Sequence, residues 1–217
     1  MSEVIRAFDR SAGGYDDWYR DAKGQQVLKA ESALVDNLIP SEGLGLEIGA
    51  GTGVFAESLT NNDRVIVCLD LSTEMLTRAK RRGLSCVLGS AEALPMRWGV
   101  LGFTYMITVI EFLPYPAKAF KEVVKIGAPL VVLFVNRESS WGKLYLEMAS
   151  GGDPIFRHAN LYSLEGVVKL SRAAGLTIVE SLGVLTTGPT DPAAGGDIVE
   201  PSPKTGVIAV KLANPTY

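Results

Sequence analysis

The stretch "GLGLEIGAGTGVFAESL", residues 43–59, sets four glycines within the nine positions 45–53, three of them directly after a short apolar run. The run reads as a strand and "VFAESL" as the start of a helix, so the glycines form the turn between them. Bare backbone lets a ligand come close, and the opening of a helix attracts negative or electron-rich groups. The spacing is G-x-G-x-G, at Gly49, Gly51 and Gly53, with Val54 where a dinucleotide fingerprint has its third glycine. Glu47, just ahead of the turn, would repel a pyrophosphate but suits an ammonium group. Asp70 ends the next apolar run, where a carboxylate can accept both hydroxyls of a ribose. The ligand these residues call for is a nucleoside with a positive charge in place of phosphates.

Around this turn, apolar runs alternate with helical patterns. "LGLEIG" (44–49), "RVIVCL" (64–69), "LSCVLG" (84–89), "GFTYMITVI" (102–110) and "PLVVLFV" (129–135) read as strands of a parallel sheet covered on both faces. The segments between them carry helical spacing, with Ser72 as an N-cap and Gly83 as a stop. Residues 24–38 form an amphipathic helix before the first strand. Two late strands, "LTIVESLGV" and "TGVIAVKL", have no helix between them and must be antiparallel neighbours. Their Gly- and Pro-rich connection, residues 186–204, is expected to be mobile, and residues 137–162 to be irregular. The fold expected is α/β: a doubly wound, mostly parallel seven-stranded sheet with one antiparallel strand and helices on both faces.

The whole chain sets further bounds. Its 217 residues, 47% apolar, suit one domain with a full core. A net charge of −3 without a basic run points away from nucleic acid as a partner. Cys68 and Cys86 both lie in apolar runs, so neither a disulfide framework nor a metal site is expected. The N-terminus lacks a signal-peptide core and no run reaches membrane-spanning length, which leads to the expectation of a cytoplasmic protein without membrane insertion.

"LEIGAGTGVFAESL", "VCLDLSTEMLTRAK" and "GSAEALPM" resemble, in order and spacing, the first three cofactor motifs of the class I S-adenosylmethionine-dependent methyltransferases. "FDRSAGGYDDW" and "ITVIEFLPYPAKAFKEVVKI" are similar to the small-molecule branch that includes quinone-biosynthesis C-methyltransferases. The resemblance implies a Rossmann-like methyltransferase fold and S-adenosyl-L-methionine as cofactor. It implies that Gly49, Ala50, Gly51 and Gly53 pass under the methionine part, with Glu47 near its ammonium. Asp70 would hold the ribose, and Leu71 and Met75 would pack on adenine. Ser90, Ala91 and Glu92 would meet the adenine edge, and Thr108 and Val109 would lie beside the sulfonium. Ser90 replaces an Asp common in the family, which weakens one expected adenine contact.

Methyl transfer needs alignment and desolvation, and a base only where the acceptor must lose a proton. Candidates are Glu111, at the end of the fourth strand, and His158, the sole histidine; Tyr15 and Tyr162 are further possibilities. Trp141, Tyr145, Phe156 and Tyr162 could line an acceptor pocket. Tyr15 and Trp18 follow a flexible Gly13-Gly14 and could cover the sulfonium by cation–π attraction. The expected layout is one domain over 1–217. It comprises an N-terminal helical lid (1–40), a cofactor-binding core (41–136), a substrate-covering insert (137–162) and a C-terminal helix with the antiparallel pair (163–217). The expected function is in-line methyl transfer to a small-molecule acceptor. A nicotinamide-dependent oxidoreductase and a non-catalytic S-adenosylmethionine-binding subunit are the alternatives.

Overall fold

A computed structural model describes residues 3–214. The expected domain of 1–217 also takes in residues 1–2 and 215–217, which lie outside the described residues. The chain begins with α1 (Glu3–Ser11), a 3-10 turn (Tyr15–Arg20) and α2 (Ala22–Asp36). An alternating series follows: β1 (Gly43–Ile48), α3 (Val54–Leu59), β2 (Arg64–Asp70), α4 (Thr73–Arg81), β3 (Ser85–Leu88) and β4 (Phe103–Ile107). Next come α5 (Pro116–Ile126), β5 (Leu130–Val135), α6 (Ser140–Ser150) and α7 (Leu164–Ala173). The last two elements are β6 (Thr177–Val184) and β7 (Val207–Ala213).

The sheet order is β3-β2-β1-β4-β5-β7-β6, with β1 to β5 parallel and β7 antiparallel to both of its neighbours. The strand order turns back between β1 and β4, which opens a crevice at their carboxyl ends. Every residue of β4 and β5 is buried, as a sheet covered on both faces requires. Alternate residues divide between two apolar layers. Phe103, Tyr105 and Leu133 pack with Leu34 of α2 on one face, and Leu46, Met106 and Val132 with Phe120 of α5 on the other. Ser72 caps α4 by accepting the Met75 N–H at 3.1 Å. None of the described helices is long and apolar enough to cross a membrane.

Three local expectations need correction. Residues 137–162 are not irregular throughout, because α6 occupies Ser140–Ser150, its first turn capped by the Ser139 hydroxyl on Gly142 N–H. Gly142 admits that helix against the sheet, since a Cβ there would stand 2.3 Å from the Asn136 carbonyl oxygen. The connection 186–204 is not loose. Leu185 N–H donates to Gly195 O at 2.8 Å, Ala194 N–H to Gln26 Oε1 at 2.9 Å, and Lys23 Nζ to Asp191 O at 2.6 Å. Backbone bonds and side chains of α2 therefore hold a segment whose composition suggested mobility. Finally, β4 stops at Ile107, because Thr108 takes φ +50°.

Candidate active site

The glycine turn hangs from β2: Gly49 and Ala50 N–H groups both donate to Leu69 O, at 2.7 and 3.0 Å. Gly49, Gly51 and Gly53 all have positive φ. At Gly49 a Cβ would lie 2.6 Å from a Val109 methyl, so glycine there lets the turn close onto the end of β4. At Gly51 a Cβ would meet nothing within 4 Å, so this part of the turn offers open backbone. The Asp70 carboxylate is fixed beside it, accepting Gly51 N–H on Oδ2 and Ser72 N–H on Oδ1, each at 2.8 Å. Each oxygen keeps capacity for a second bond.

Next to Asp70, Leu71 is 44% exposed and offers an apolar surface to a planar base. Met75 does not: at 1% exposure its side chain belongs to the core, which corrects the expectation that it faces adenine. Ser90 Oγ accepts Glu92 N–H at 3.1 Å, Ala91 is buried, and Glu92 Oε1 accepts Tyr115 N–H at 3.1 Å. Glu92 therefore reaches this edge with one oxygen already engaged. Glu47 is buried in β1, where Tyr105 Oη–H donates to its Oε2 at 3.2 Å. Burial pushes its carboxyl up to about 8, against the lowering effect of the Tyr105 and Ala56 hydrogen bonds. A cation placed beside it would restore the ionised form. Open backbone at Gly51, an anchored carboxylate, an exposed leucine and a buried carboxylate all fit S-adenosylmethionine.

Beyond the ends of β4 and β5 lies a cavity of about 350 Å³. Thr108 and Glu111 form part of its lining, and Tyr15 and Trp18 reach it from the N-terminal segment. Trp141, Leu144, Tyr145 and Met148, spaced for one face of a helix, wall it from α6. Positive φ is costly for a β-branched residue, and such strain gathers at functional sites. Thr108 holds it at the cavity wall, beside Val109, which packs on Gly49. Glu111 is 2% exposed; Val135 N–H donates to its Oε1 at 2.9 Å, and its Oε2 has no hydrogen-bond partner. Burial holds this carboxyl at about 7. Burial also raises Tyr15 and Tyr145 well above the usual phenol range, so both hydroxyls stay neutral.

The cavity gathers Tyr15, Trp18, Thr108, Glu111, Trp141, Tyr145 and Phe156, but neither His158 nor Tyr162 is part of its lining. His158 Nε2 instead accepts from Arg157 Nε at 3.2 Å on an exposed turn, and Tyr162 Oη accepts from Asn160 at 3.0 Å. Sequence reasoning missed Glu31, a 6% exposed cavity carboxylate on α2. Burial and the neighbouring Glu111 charge push it up to about 8. Its signal was a carboxylate within the buried stripe Val27, Ala30, Leu34, Val35. The hold of the N-terminal segment was also missed. Asp16 accepts Thr52 Oγ1–H at 2.6 Å and pairs with Arg82 at 2.5 Å, while Ser72 Oγ–H donates to Asp9 at 2.5 Å.

Known proteins resemble this chain throughout the region. A methyltransferase-domain family model matches residues 46–135. An uncharacterised protein of Methanocaldococcus jannaschii is 29% identical, the match covering 82% of this chain and 84% of the relative. One of Mycobacterium tuberculosis is 33% identical over 80% of this chain; the match spans 61% of that longer relative. A Thermotoga maritima crystal structure, described as a SAM-dependent methyltransferase and possible histamine N-methyltransferase, superposes with a TM-score of 0.87 at 28% identity. The superposition covers 97% of this chain and 99% of that one. The strand order, the glycine turn and these matches agree on an enzyme with a methyltransferase domain and S-adenosylmethionine as its methyl donor.

Proposed function

We propose that the chain transfers the methyl group to a small-molecule acceptor held in the cavity beyond β4. The observation that carries this reading is the enclosure. A space of about 350 Å³, walled by α6 and roofed by the N-terminal segment, suits a metabolite-sized guest and not a polymer. The sequence likeness to the small-molecule branch supports it, as does the description of the Thermotoga maritima protein as a possible histamine N-methyltransferase.

When bound, the donor supplies a methyl group activated on a sulfonium. Gly49, Ala50, Gly51 and Gly53 would cradle its amino-acid part, and Glu47 would answer its ammonium. Asp70 would take the ribose, and Leu71, Ser90, Ala91 and Glu92 would meet the base. Tyr15 and Trp18 would close the site as a lid, and Thr108 and Val109 would fix the line of attack from the end of β4. The aromatic face of α6 would exclude water from the acceptor.

The test is incubation of the protein with methyl-labelled S-adenosylmethionine and an undesalted cell extract. Label is expected in a low-molecular-weight product separated from the donor, and that product should not form when the extract is desalted. Label confined to protein or nucleic acid would overturn the reading.

A further inference from the structure

Glu31 and Glu111 are both buried and both line one cavity, yet they come from elements far apart in sequence, α2 and the turn after β4. A charged carboxylate is costly to bury without a partner, and Glu111 Oε2 has none. Among the described residues, the lining contains no lysine, arginine or histidine. Lys23 stacks over Trp141 at 5.5 Å, but its ammonium is bonded to the Asp191 and Ala193 carbonyls. The remaining titratable groups that face the carboxylates are Tyr15 and Tyr19 of the N-terminal segment and Tyr145 of α6, all of them neutral. The rest of the wall is mostly apolar and aromatic, with Tyr145 stacked on Phe156 at 4.4 Å between ring centroids. Two buried acids inside an aromatic enclosure form a site short of positive charge. A cation there gains charge-assisted bonds from the carboxylates and cation–π attraction from the rings.

We propose that the acceptor is an amine that enters as its ammonium form, with Glu111 Oε2 receiving a proton from the nitrogen and Glu31 stabilising the cation. The inference rests on the small-molecule reading and deepens it. The ammonium N–H proton passes to the Glu111 carboxylate, which becomes the neutral acid. The freed nitrogen lone pair attacks the methyl carbon. The N–C bond forms as the C–S bond breaks, and the bonding pair stays on sulfur. The products are a methylated ammonium ion, S-adenosylhomocysteine and protonated Glu111, which returns its proton to solvent as the site opens. Glu111 sits suitably for this step, since it follows Thr108 and Val109 at the end of β4. In the free protein both carboxyls hold protons into the neutral range, Glu111 to about 7 and Glu31 to about 8. An arriving ammonium displaces them, so binding releases protons and tightens as the pH rises from 6 to 8.

The experiment is calorimetry on the protein saturated with S-adenosylhomocysteine, with three probes of one shape: 2-phenylethylamine, 2-phenylethanol and 3-phenylpropanoate. The amine is expected to bind at least about tenfold more tightly than the alcohol, and the acid more weakly than either. Titration in two buffers of different ionisation heat should show proton release with the amine alone. Glu31→Gln and Glu111→Gln should each cut amine affinity by about tenfold or more while sparing 2-phenylethanol and S-adenosylhomocysteine. Those last two controls show that each variant is folded. Equal or weaker binding of the amine, or affinity unchanged in both variants, would overturn the amine proposal. None of these results touches the small-molecule reading, which falls only if the label forms no low-molecular-weight product other than the donor.

Discussion

Asp16 accepts a hydrogen bond from the Thr52 hydroxyl at 2.6 Å, which joins the N-terminal segment directly to the glycine turn. The same carboxylate pairs with Arg82, and Arg82 Nε–H donates to the Thr52 carbonyl at 3.0 Å. The segment that lines part of the cavity and the turn that would hold the donor are thus one bonded unit.

Asp16→Ala removes both links and should weaken S-adenosylmethionine binding by about 1–2 kcal/mol, the size of one or two partly exposed polar bonds. Limited proteolysis should then cut more quickly before residue 22, and added donor should slow that cutting less than in the parent protein. Unchanged cutting together with unchanged affinity would mean that the segment is no lid.

Asp70 presents both oxygens at the rim of the turn, each holding one backbone N–H. Asp70→Ala should lose about 2–4 kcal/mol of donor affinity, as two charge-assisted bonds disappear. Asp70→Asn keeps one acceptor and should lose less. Both variants should also unfold at a lower temperature without ligand, because Asp70→Ala leaves both the Gly51 and Ser72 N–H groups without this partner and Asp70→Asn leaves one. Affinity equal in all three proteins would place the ribose elsewhere.

The glycines separate by what surrounds them. Gly49→Ala would press a methyl to 2.6 Å from Val109, so it should lower the unfolding midpoint sharply. Gly51→Ala meets no neighbour and costs only the positive-φ penalty of about 1–2 kcal/mol, yet its methyl would stand where the donor approaches. The first variant should fail chiefly in thermal melts and the second chiefly in binding. The reverse pattern would refute the placement of the donor.

The buried carboxyls set a pH dependence. Glu31 and Glu47 are raised to about 8 and Glu111 to about 7, so the folded chain holds protons that the unfolded chain releases near the ordinary glutamate value of 4.5. Their stabilising effect is complete below that value and is lost as the pH rises through 7 and 8. Ligand-free protein should therefore melt at a lower temperature at pH 8 than at pH 5. Glu31→Gln, which cannot ionise, should reduce that difference. A melt that rises over the same interval would contradict the assignment.

The sheet was legible because branched runs and glycine turns report directly on buried parallel strands, and Glu47, Gly49, Gly51 and Asp70 sit on that rigid frame. What lay on the helices was harder to see. Trp141, Leu144, Tyr145 and Met148 follow helical spacing, but aromatic residues mixed with charges concealed α6 among apparent loop signals. Met75 reads the same in sequence whether it faces a ligand or the core; the turn of α4 decides, and it points inward. Glu31 needed the fold itself, because only packing α2 over the ends of β4 and β5 brings it into one cavity with Glu111. The connection 186–204 looked loose by composition because its restraints come from elsewhere in the chain, through Lys23, Gln26 and Trp141.

The most direct test is calorimetric titration of the purified protein with S-adenosylmethionine and, separately, with NAD. The G-x-G-x-G turn with Glu47 ahead of it predicts saturable one-to-one binding of S-adenosylmethionine in the micromolar range, strongly reduced in Asp70→Ala, and no heat of binding with NAD. Saturable binding of NAD with none of S-adenosylmethionine would contradict the account.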